Sequence, residues 1–508
     1  MKGSRIIYII LFYFFIITQL NASDSFILQQ IILKDKQQNI IKDDNINKIL
    51  SKYIKKEITL ETLEKLPKEL EKYYSSKGYN YTKVLIPPQT IRKGVLYLII
   101  YKPIIGKIKI EGNKYYSSKF ILERFKAKEN SYLKYNQMIE SLLMINEYSD
   151  LNAKIFLKSN KETNKTDITL KITDKRPFHL SIQLDNLGSK NTSKNRINLN
   201  ASYGNILRDG DNLQFYTTNS LKYDKHNNLY MFNYNIPINN SNTKLEMGIL
   251  HSNYLVNGEF EILDIKGDTK NYDIGIIQPI FKTFKKSLQF SAKYTKKYVT
   301  NYILSLTSSR EEINTYDFNI KYNQNSLFSI NNLNIGAVFG NIEDNALKTR
   351  TNECDKFIKY YLKFVRNQAL NQTNNLIFNI NGQYSNKYRL PTSELYSIGG
   401  ESVKGFDNSA GTGDSGYSAS IEYSNNILTI KQFNLKAGLF INYGRIFTNS
   451  PENGEFKNGS LLGYGINTNL SINNKYSLNI SVGYPIDSDS IEYKREAHIY
   501  ATFNMVLW

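Results

Sequence analysis

From Phe178 to the C-terminus, apolar and polar residues alternate over segments of about ten residues, separated by Asn, Asp, Gly, Ser and Lys. Leu180, Ile182 and Leu184 alternate with Ser181, Gln183 and Asp185, and Tyr316, Phe318, Ile320 and Tyr322 with Asp317, Asn319 and Lys321. Leu376, Phe378 and Ile380 alternate with Ile377, Asn379 and Asn381, and further on Leu478, Ile480, Val482 and Tyr484 alternate with Asn479, Ser481 and Gly483. A period of two assigns each set to one face of a strand. Aromatic and aliphatic residues on one face, with Asn, Ser and Gly on the other, suit a closed sheet with lipid outside and water inside. A soluble sandwich also alternates, but it does not place so many Tyr and Phe outward. Roughly sixteen such segments are expected before the chain ends, an even number as in bacterial barrels. In the last segment Thr502 and Asn504 share the parity of Val506 and Trp508, so a bulge is expected to restore the register.

Before Pro177 helical and strand periods mix, and the same order reads twice. Phe26–Leu33 is predicted as a strand, followed by helices over 43–53 and 59–76. Ile46, Ile49, Leu50 and Tyr53 mark the apolar face of the first helix; Leu60, Leu63, Leu66 and Leu70 mark that of the second. Gly78 is placed to stop the second helix, and Pro67 to kink or restart it. Strands over 81–86 and 95–101 close the unit. The second copy reads as a strand over 105–110, helices over 117–125 and 135–146, and strands over 151–157 and 167–172. Ahead of both, Lys2 and Arg5 precede the apolar run Ile6–Ile17 and the small residue Ala22, the anatomy of a cleaved secretory signal. The expected division is a signal at 1–22, α/β domains at 23–103 and 104–176, and a barrel at 177–508.

Composition narrows the function classes. The chain has 39 Tyr and 26 Phe against one Trp, without an apolar run of the roughly 20 residues a spanning helix needs. The net charge of +19 is scattered rather than gathered into an Arg/Lys tract with stacking aromatics, which disfavours nucleic acid as a partner. Cys354 is alone, so no internal disulfide can form. His179, His226, His251 and His498 lack metal-ligand spacing, and no nucleophile elbow or phosphate loop is present, so neither metal, cofactor nor catalysis is expected.

Two motifs carry a resemblance. Gly78-Tyr79, then Pro87-Pro88-Gln89 and Gly94, look like the signature of the POTRA domain of two-partner secretion transporters. Between the eleventh and twelfth predicted strands lies Leu390 to Phe406, ending Gly399-Gly400-Glu-Ser-Val403-Lys404-Gly405-Phe406 and continuing through Gly413-Asp414-Ser-Gly416 into a strand holding Glu422. This resembles the lumen-folded loop of the haemolysin secretion/activation family, whose tip reads Val-Arg-Gly-Phe or Val-Arg-Gly-Tyr. Lys404 stands where the family has Arg. In the family that Arg pairs with an Asp of a wall motif, Phe-x-Asp-x-Gly; the matching segment here is Phe440, Asn442 and Gly444. Both partners have changed, so Lys404 is expected to dock more weakly on Asn442, without the bidentate fork.

The fold class implied is α+β POTRA domains followed by an all-β transmembrane barrel of about 16 strands. The resemblance implies an outer-membrane translocator with periplasmic N-terminal domains. A large secreted β-helical haemolysin or adhesin would dock on open POTRA sheet edges and thread the lumen. It also implies a monomeric barrel in outer-membrane lipid, inserted by the barrel assembly machinery with Trp508 as a terminal signal. Some members plug the lumen with a helix ahead of the first POTRA domain; no room for one is seen after Ser23, so occlusion is expected from the loop at about 387–416. An insertase of other barrels shares the loop motif but brings more POTRA copies, and a passive porin has no use for docking domains.

Overall fold

The computed structural model describes residues 26–221, 227–343, 346–452 and 454–507. The segment read as a secretory signal and the terminal Trp508 lie outside the described residues, as does His226.

The N-terminal region contains the β-α-α-β-β order twice, with two additional two-residue strands, Phe26–Ile27 and Glu57–Ile58, in the first copy. In the first copy Asp43 caps the helix Asp44–Leu50 by accepting from the backbone N–H groups of Asn45 and Ile46. Thr59 caps the helix Leu60–Ser76 by accepting from that of Thr62. The helix does not restart at Pro67: it runs through it, with Leu63, Leu66, Leu70 and Tyr74 buried on one face on both sides of the proline. Gln30–Lys34 pairs parallel with Val95–Tyr101, which pairs antiparallel with Lys83–Leu85. The strand expected over Phe26–Leu33 is split; Phe26–Ile27 pairs instead with Glu57–Ile58. In the second copy Ile105–Glu111, Lys165–Asp174 and Leu151–Asn160 form a sheet in that spatial order, with helices Ser118–Arg124 and Tyr135–Ile145.

Two compact units share the chain, and they do not divide at residue 176. One holds the described residues up to Gly112 with Phe125–Ile145 and Ala153–Thr173; the other holds Asn113–Arg124, Asn146–Asn152 and the chain from Asp174 onward. In the second unit Arg124 donates to Asn242 Oδ1 at 2.8 Å and Glu147 pairs with Lys244 at 3.0 Å. A Cβ at Gly210 would overlap the rings of Phe120 and Tyr148. Helix Ser118–Arg124 and the segment Asn146–Asn152 thus pack against the turns at 205–211 and 238–243 within the second unit.

The barrel closes with sixteen antiparallel strands, from Phe178–Asp185 to His498–Val506. The seam pairs Ser181 with Val506 and Asp185 with Thr502. Parity follows the alternation: Leu439 and Ile441 are 60 % and 46 % exposed on the outer wall, while Phe440 between them is 5 % exposed. Turns at the end of the barrel where strand 1 begins, at Phe178, are short, as at 283–285, 326–328, 431–432 and 473–475, whereas the opposite end carries the connections 186–195, 343–355, 385–414, 448–457 and 490–497. Strand 16 corrects the expected bulge. It pairs with strand 15 (Tyr476–Asp489) without a register shift, Val482 to Ile499 through Tyr476 to Met505. Ile499, Ala501, Phe503 and Met505 therefore face lipid, and Thr502 and Asn504 face the lumen, where polar side chains need no repair.

Candidate functional site

The segment Ser385–Asp414 connects strand 11 (Asn374–Tyr384) to strand 12 (Ser415–Ile430) and folds back against the inner wall. Within it Tyr396–Ile398 pairs antiparallel with Gly411–Gly413, giving the loop a short ribbon of its own. The turn between them is tight: Gly399 N–H donates to Ser402 Oγ at 3.1 Å, and Gly400 N–H to the Phe406 carbonyl at 3.2 Å.

The tip Val403-Lys404-Gly405-Phe406 lies on strands 13 to 15 (Phe433–Phe447, Asn458–Ile472, Tyr476–Asp489) at the positions where the wall has only glycine. A Cβ at Gly463 would overlap the Lys404 carbonyl; one at Gly483 would come within 2.6 Å of Gly405 N, and one at Gly444 within 2.8 Å of Val403 Cγ2. Gly405 itself has φ 106°, in the region that favours glycine, and a Cβ there would press on the Tyr484 backbone at 2.8 Å. Tyr500 clamps the turn from strand 16: its hydroxyl accepts from Gly405 N–H at 3.0 Å and donates to the Phe406 carbonyl at 2.9 Å. Val403 and Phe406 are buried with Ile398, Ile446, Leu461 and Ile491, forming a small apolar core inside the lumen.

The expected pairing of Lys404 with Asn442 is not what the structure contains. Lys404 Nζ donates to Ser481 Oγ at 3.1 Å and stands 4.7 Å from the centre of the Phe440 ring. Asn442 Oδ1 is buried without a hydrogen-bond partner. The reason is main-chain packing. The Lys404 carbonyl sits over Gly463, which is registered opposite Asn442. The side chain leaving that point runs past the amide to Ser481 and to the face of Phe440, which attracts a cation. Burial draws the Lys404 ammonium below the usual lysine range, and the carboxylates of Glu422 and Glu401 offset part of this. A polar cavity of about 260 Å³ lined by Lys404, Glu422, Lys436 and Asn467 lies beside it. Burying Val403 and Phe406 contributes roughly 1.5–3 kcal/mol each. The single hydrogen bond and ring contact of Lys404 contribute about 1–3 kcal/mol together. Apolar burial, not the lysine, dominates the hold on the tip.

Two ionic clusters that sequence reasoning missed fasten the rest of the loop. At its waist Glu394 is buried between Lys297 of strand 7 (Lys286–Ile303) and Lys359 of strand 10 (Lys356–Ala369), the latter at 2.7 Å. Burial would raise this carboxyl, but Lys297 and then Lys359 hold it down at about 2. At its base Asp414, fully buried, accepts from Leu390 N–H at 2.6 Å, Arg350 Nη1 and Asn449 N–H, both at 2.8 Å. Arg350 and Arg389 share Glu455, at 3.0 and 2.8 Å, so the base is tied to the loops at 343–355 and 448–457. Gly413 and Gly416 flank Asp414 where a Cβ would meet the Phe447 backbone and the Tyr396 ring. A single Glu within a turn and lysines at inward positions of distant strands carry no spacing signal; Asp414 stood within the loop motif, but its partners Arg350 and Asn449 lie in other loops, so neither cluster was legible as a cluster.

The POTRA signature residues lie elsewhere, in the first unit, and build turns and joints. Gly78 (φ 88°) ends its helix, with its N–H on Ser75 O, and its own carbonyl accepts from Tyr135 N–H at 2.9 Å. The Tyr79 ring stands 6.4 Å from Tyr132, and Lys102 Nζ lies within 5.5 Å of the rings of Tyr74, Tyr79 and Tyr132. After the Pro87-Pro88 bend the Gln89 amide bonds both the N–H and the C=O of Tyr97, and the Gly94 carbonyl accepts from Gln29 and Gln30.

Comparison with known proteins agrees with this architecture. A family model described as haemolysin secretion/activation protein ShlB/FhaC/HecB matches residues 164–470, more than half of the chain, and a POTRA domain model of ShlB type matches residues 26–102. Over 479 residues the chain is 24 % identical to the heme/hemopexin transporter protein HuxB of Haemophilus influenzae, covering 91 % of this chain and 84 % of that one. Among solved structures, CdiB from Escherichia coli superposes with a TM-score of 0.81 at 16 % identity, over 96 % of this chain and 92 % of its own. CdiB from Acinetobacter baumannii gives 0.73 at 17 %, over 96 % and 91 %. Sixteen strands closed in a barrel, POTRA domains before it, and the matched family model together make the chain a member of the ShlB/FhaC/HecB haemolysin secretion/activation family, an outer-membrane translocator with its POTRA domains in the periplasm that passes a large exported partner through its barrel.

Proposed function

We propose that the partner is a β-helical haemolysin- or adhesin-like protein, taken up as an extended chain on a POTRA sheet edge and admitted when the Ser385–Asp414 loop shifts. Leu151–Asn160 is the edge favoured for docking: it is ten residues long, lies at the margin of its sheet, and carries exposed Phe156 between Lys154 and Lys158. Lys83–Leu85, the corresponding edge of the first copy, has only three residues. Lumen-facing Asn, Ser and Lys offer many weak exchangeable contacts to a chain in transit, and folding at the cell surface makes the passage directional.

The observation that carries the gating part is the tip itself. It is held on a wall of glycines by apolar burial, the Tyr500 hydroxyl and the Lys404 contacts, a fit that can be left and re-entered without breaking a buried ion pair, whereas waist and base are ionically fastened. Lys404 serves in this reading as a steering contact for the tip, not as its main anchor. The test is Lys404→Ala with assembly followed by the heat-modifiable gel mobility of the barrel. Reduced release of the partner from a fully assembled barrel is expected; unchanged release would remove Lys404 from the mechanism.

A further inference from the structure

The outer wall holds a cation with no counter-ion. Along strand 13 the lipid-facing positions run Leu439, Ile441, Tyr443, Arg445 and Phe447, with Phe440, Asn442, Gly444 and Ile446 buried inward. Arg445 is registered between Tyr417 of strand 12 and Ser460 of strand 14, neither of them charged. Its guanidinium lies 5.3 Å from the centre of the Phe447 ring, and Nε is buried without a hydrogen-bond partner. Among the described residues no carboxylate pairs with it. Arg445 lies two residues from the cell-surface end of its strand, within about 7 Å of it at the usual rise per residue. That is headgroup depth, where a guanidinium on the lipid face is best tolerated.

Beside this arginine the same wall is grooved. A depression of about 630 Å³ is walled by Tyr360, Leu362, Tyr384, Tyr417 and Phe447, with Gly382 in its floor. Gly382 has the outward parity of Ile380 and Tyr384, which are 42 % and 56 % exposed. A Cβ there would meet only Gly416 O at 3.5 Å and Tyr417 Cβ at 3.6 Å, ordinary contacts. The fold therefore does not require glycine at this position; the missing side chain leaves the slot open. Tyr417 and Phe447 belong to both features, so the slot leads to the guanidinium.

We propose that Arg445 and the Gly382 groove form a seat for a phosphorylated lipid of the outer leaflet, with a phosphate on the guanidinium and one acyl chain along the groove. Membrane position supplies the chain, and the uncompensated charge selects an anionic headgroup over a zwitterionic one. The seat lies on the ends of strands 11 to 13, between which the lumen loop leaves and returns, so a bound lipid braces the hinge of that loop.

The experiment is native mass spectrometry of the full-length protein in detergent, titrated with bis-phosphorylated lipid A and with the same lipid after removal of its phosphates. A one-to-one adduct favouring the phosphorylated form by about tenfold is expected from one charge-assisted contact. Arg445→Gln should lower that adduct by a similar factor, Arg445→Lys should retain most of it, and Gly382→Leu should lower binding of both lipids by filling the slot. Heat-modifiable mobility reports that each barrel is folded; if Arg445→Gln does not assemble, Gly382→Leu and the comparison of the two lipids carry the test. Equal binding of both lipids by the wild-type protein would overturn the proposal. So would undiminished binding by folded Arg445→Gln and Gly382→Leu, or full displacement of the lipid by millimolar inorganic phosphate, which would leave only a simple anion site.

Discussion

Replacing Glu394 by Gln removes the carboxylate that pairs with both Lys297 and Lys359 while keeping the shape of the side chain. With the loop seated, this carboxyl titrates at about 2 against its ordinary 4.5, a gap that corresponds to about 3 kcal/mol in favour of the ionised, seated state. In Glu394→Gln that preference is lost and two lumen lysines are left without their partner. The balance between seated and detached waist then shifts by up to about three-hundredfold. Tip and base remain fastened, so this is an upper bound. The sign of the pH dependence follows from the lowered value. The stabilisation is complete above about pH 4.5 and is lost as pH falls toward about 2. Single-channel recording in planar bilayers reads the outcome as the fraction of time the pore conducts. At neutral pH the variant should conduct at least tenfold more of the time than the wild-type barrel, and the wild type should approach it only on acidification from about pH 5 to about pH 3. A variant indistinguishable from wild type at neutral pH, or a wild type indifferent to that acid range, would refute the idea that Glu394 fastens the loop.

Gly463→Ala places a methyl group on the Lys404 carbonyl, so the tip must lift and surrender the burial of Val403 and Phe406. Added protease should then cut near Lys404 in an assembled barrel that is resistant in the wild type; equal resistance would show that the wall yields instead. The outer loop at 343–355 contains a second titrating group. Burial, and then the neighbouring carboxylate of Glu311, push the Glu353 carboxyl up to about 7, so its proton stabilises the seated loop below that pH and the benefit fades as pH rises from about 4.5 through about 7. After correction for intrinsic rates, hydrogen exchange at Lys348–Asp355 should be faster at about pH 8 than at about pH 5.5, and Glu353→Gln should abolish the difference; a loop whose protection is the same in both buffers would count against it.

Much of this molecule was legible without coordinates, and for a physical reason. A strand places its side chains alternately on two faces, so a wall between lipid and water writes its geometry directly into parity: Tyr316, Phe318 and Ile320 point outward as their alternation predicts. Helix caps are equally local, and Asp43, Thr59 and Gly78 act where their residue types expect. The loop tip stood out only through its resemblance to the haemolysin secretion/activation family; the close main-chain approach that its wall glycines allow is visible in the fold alone. What linear order could not contain was which distant positions meet. Glu394 finds Lys297 and Lys359 across 97 and 35 residues, and Arg350 finds Asp414 across 64, because closure of the sheet brings their strands and loops around one lumen. The same closure turned the Lys404 side chain to Ser481 and Phe440 and left Asn442 aside. Local propensity and parity are properties of neighbouring residues and survive in the one-dimensional chain. Ion pairing across a lumen is a property of the closed cylinder, and it exists only once all sixteen strands have joined.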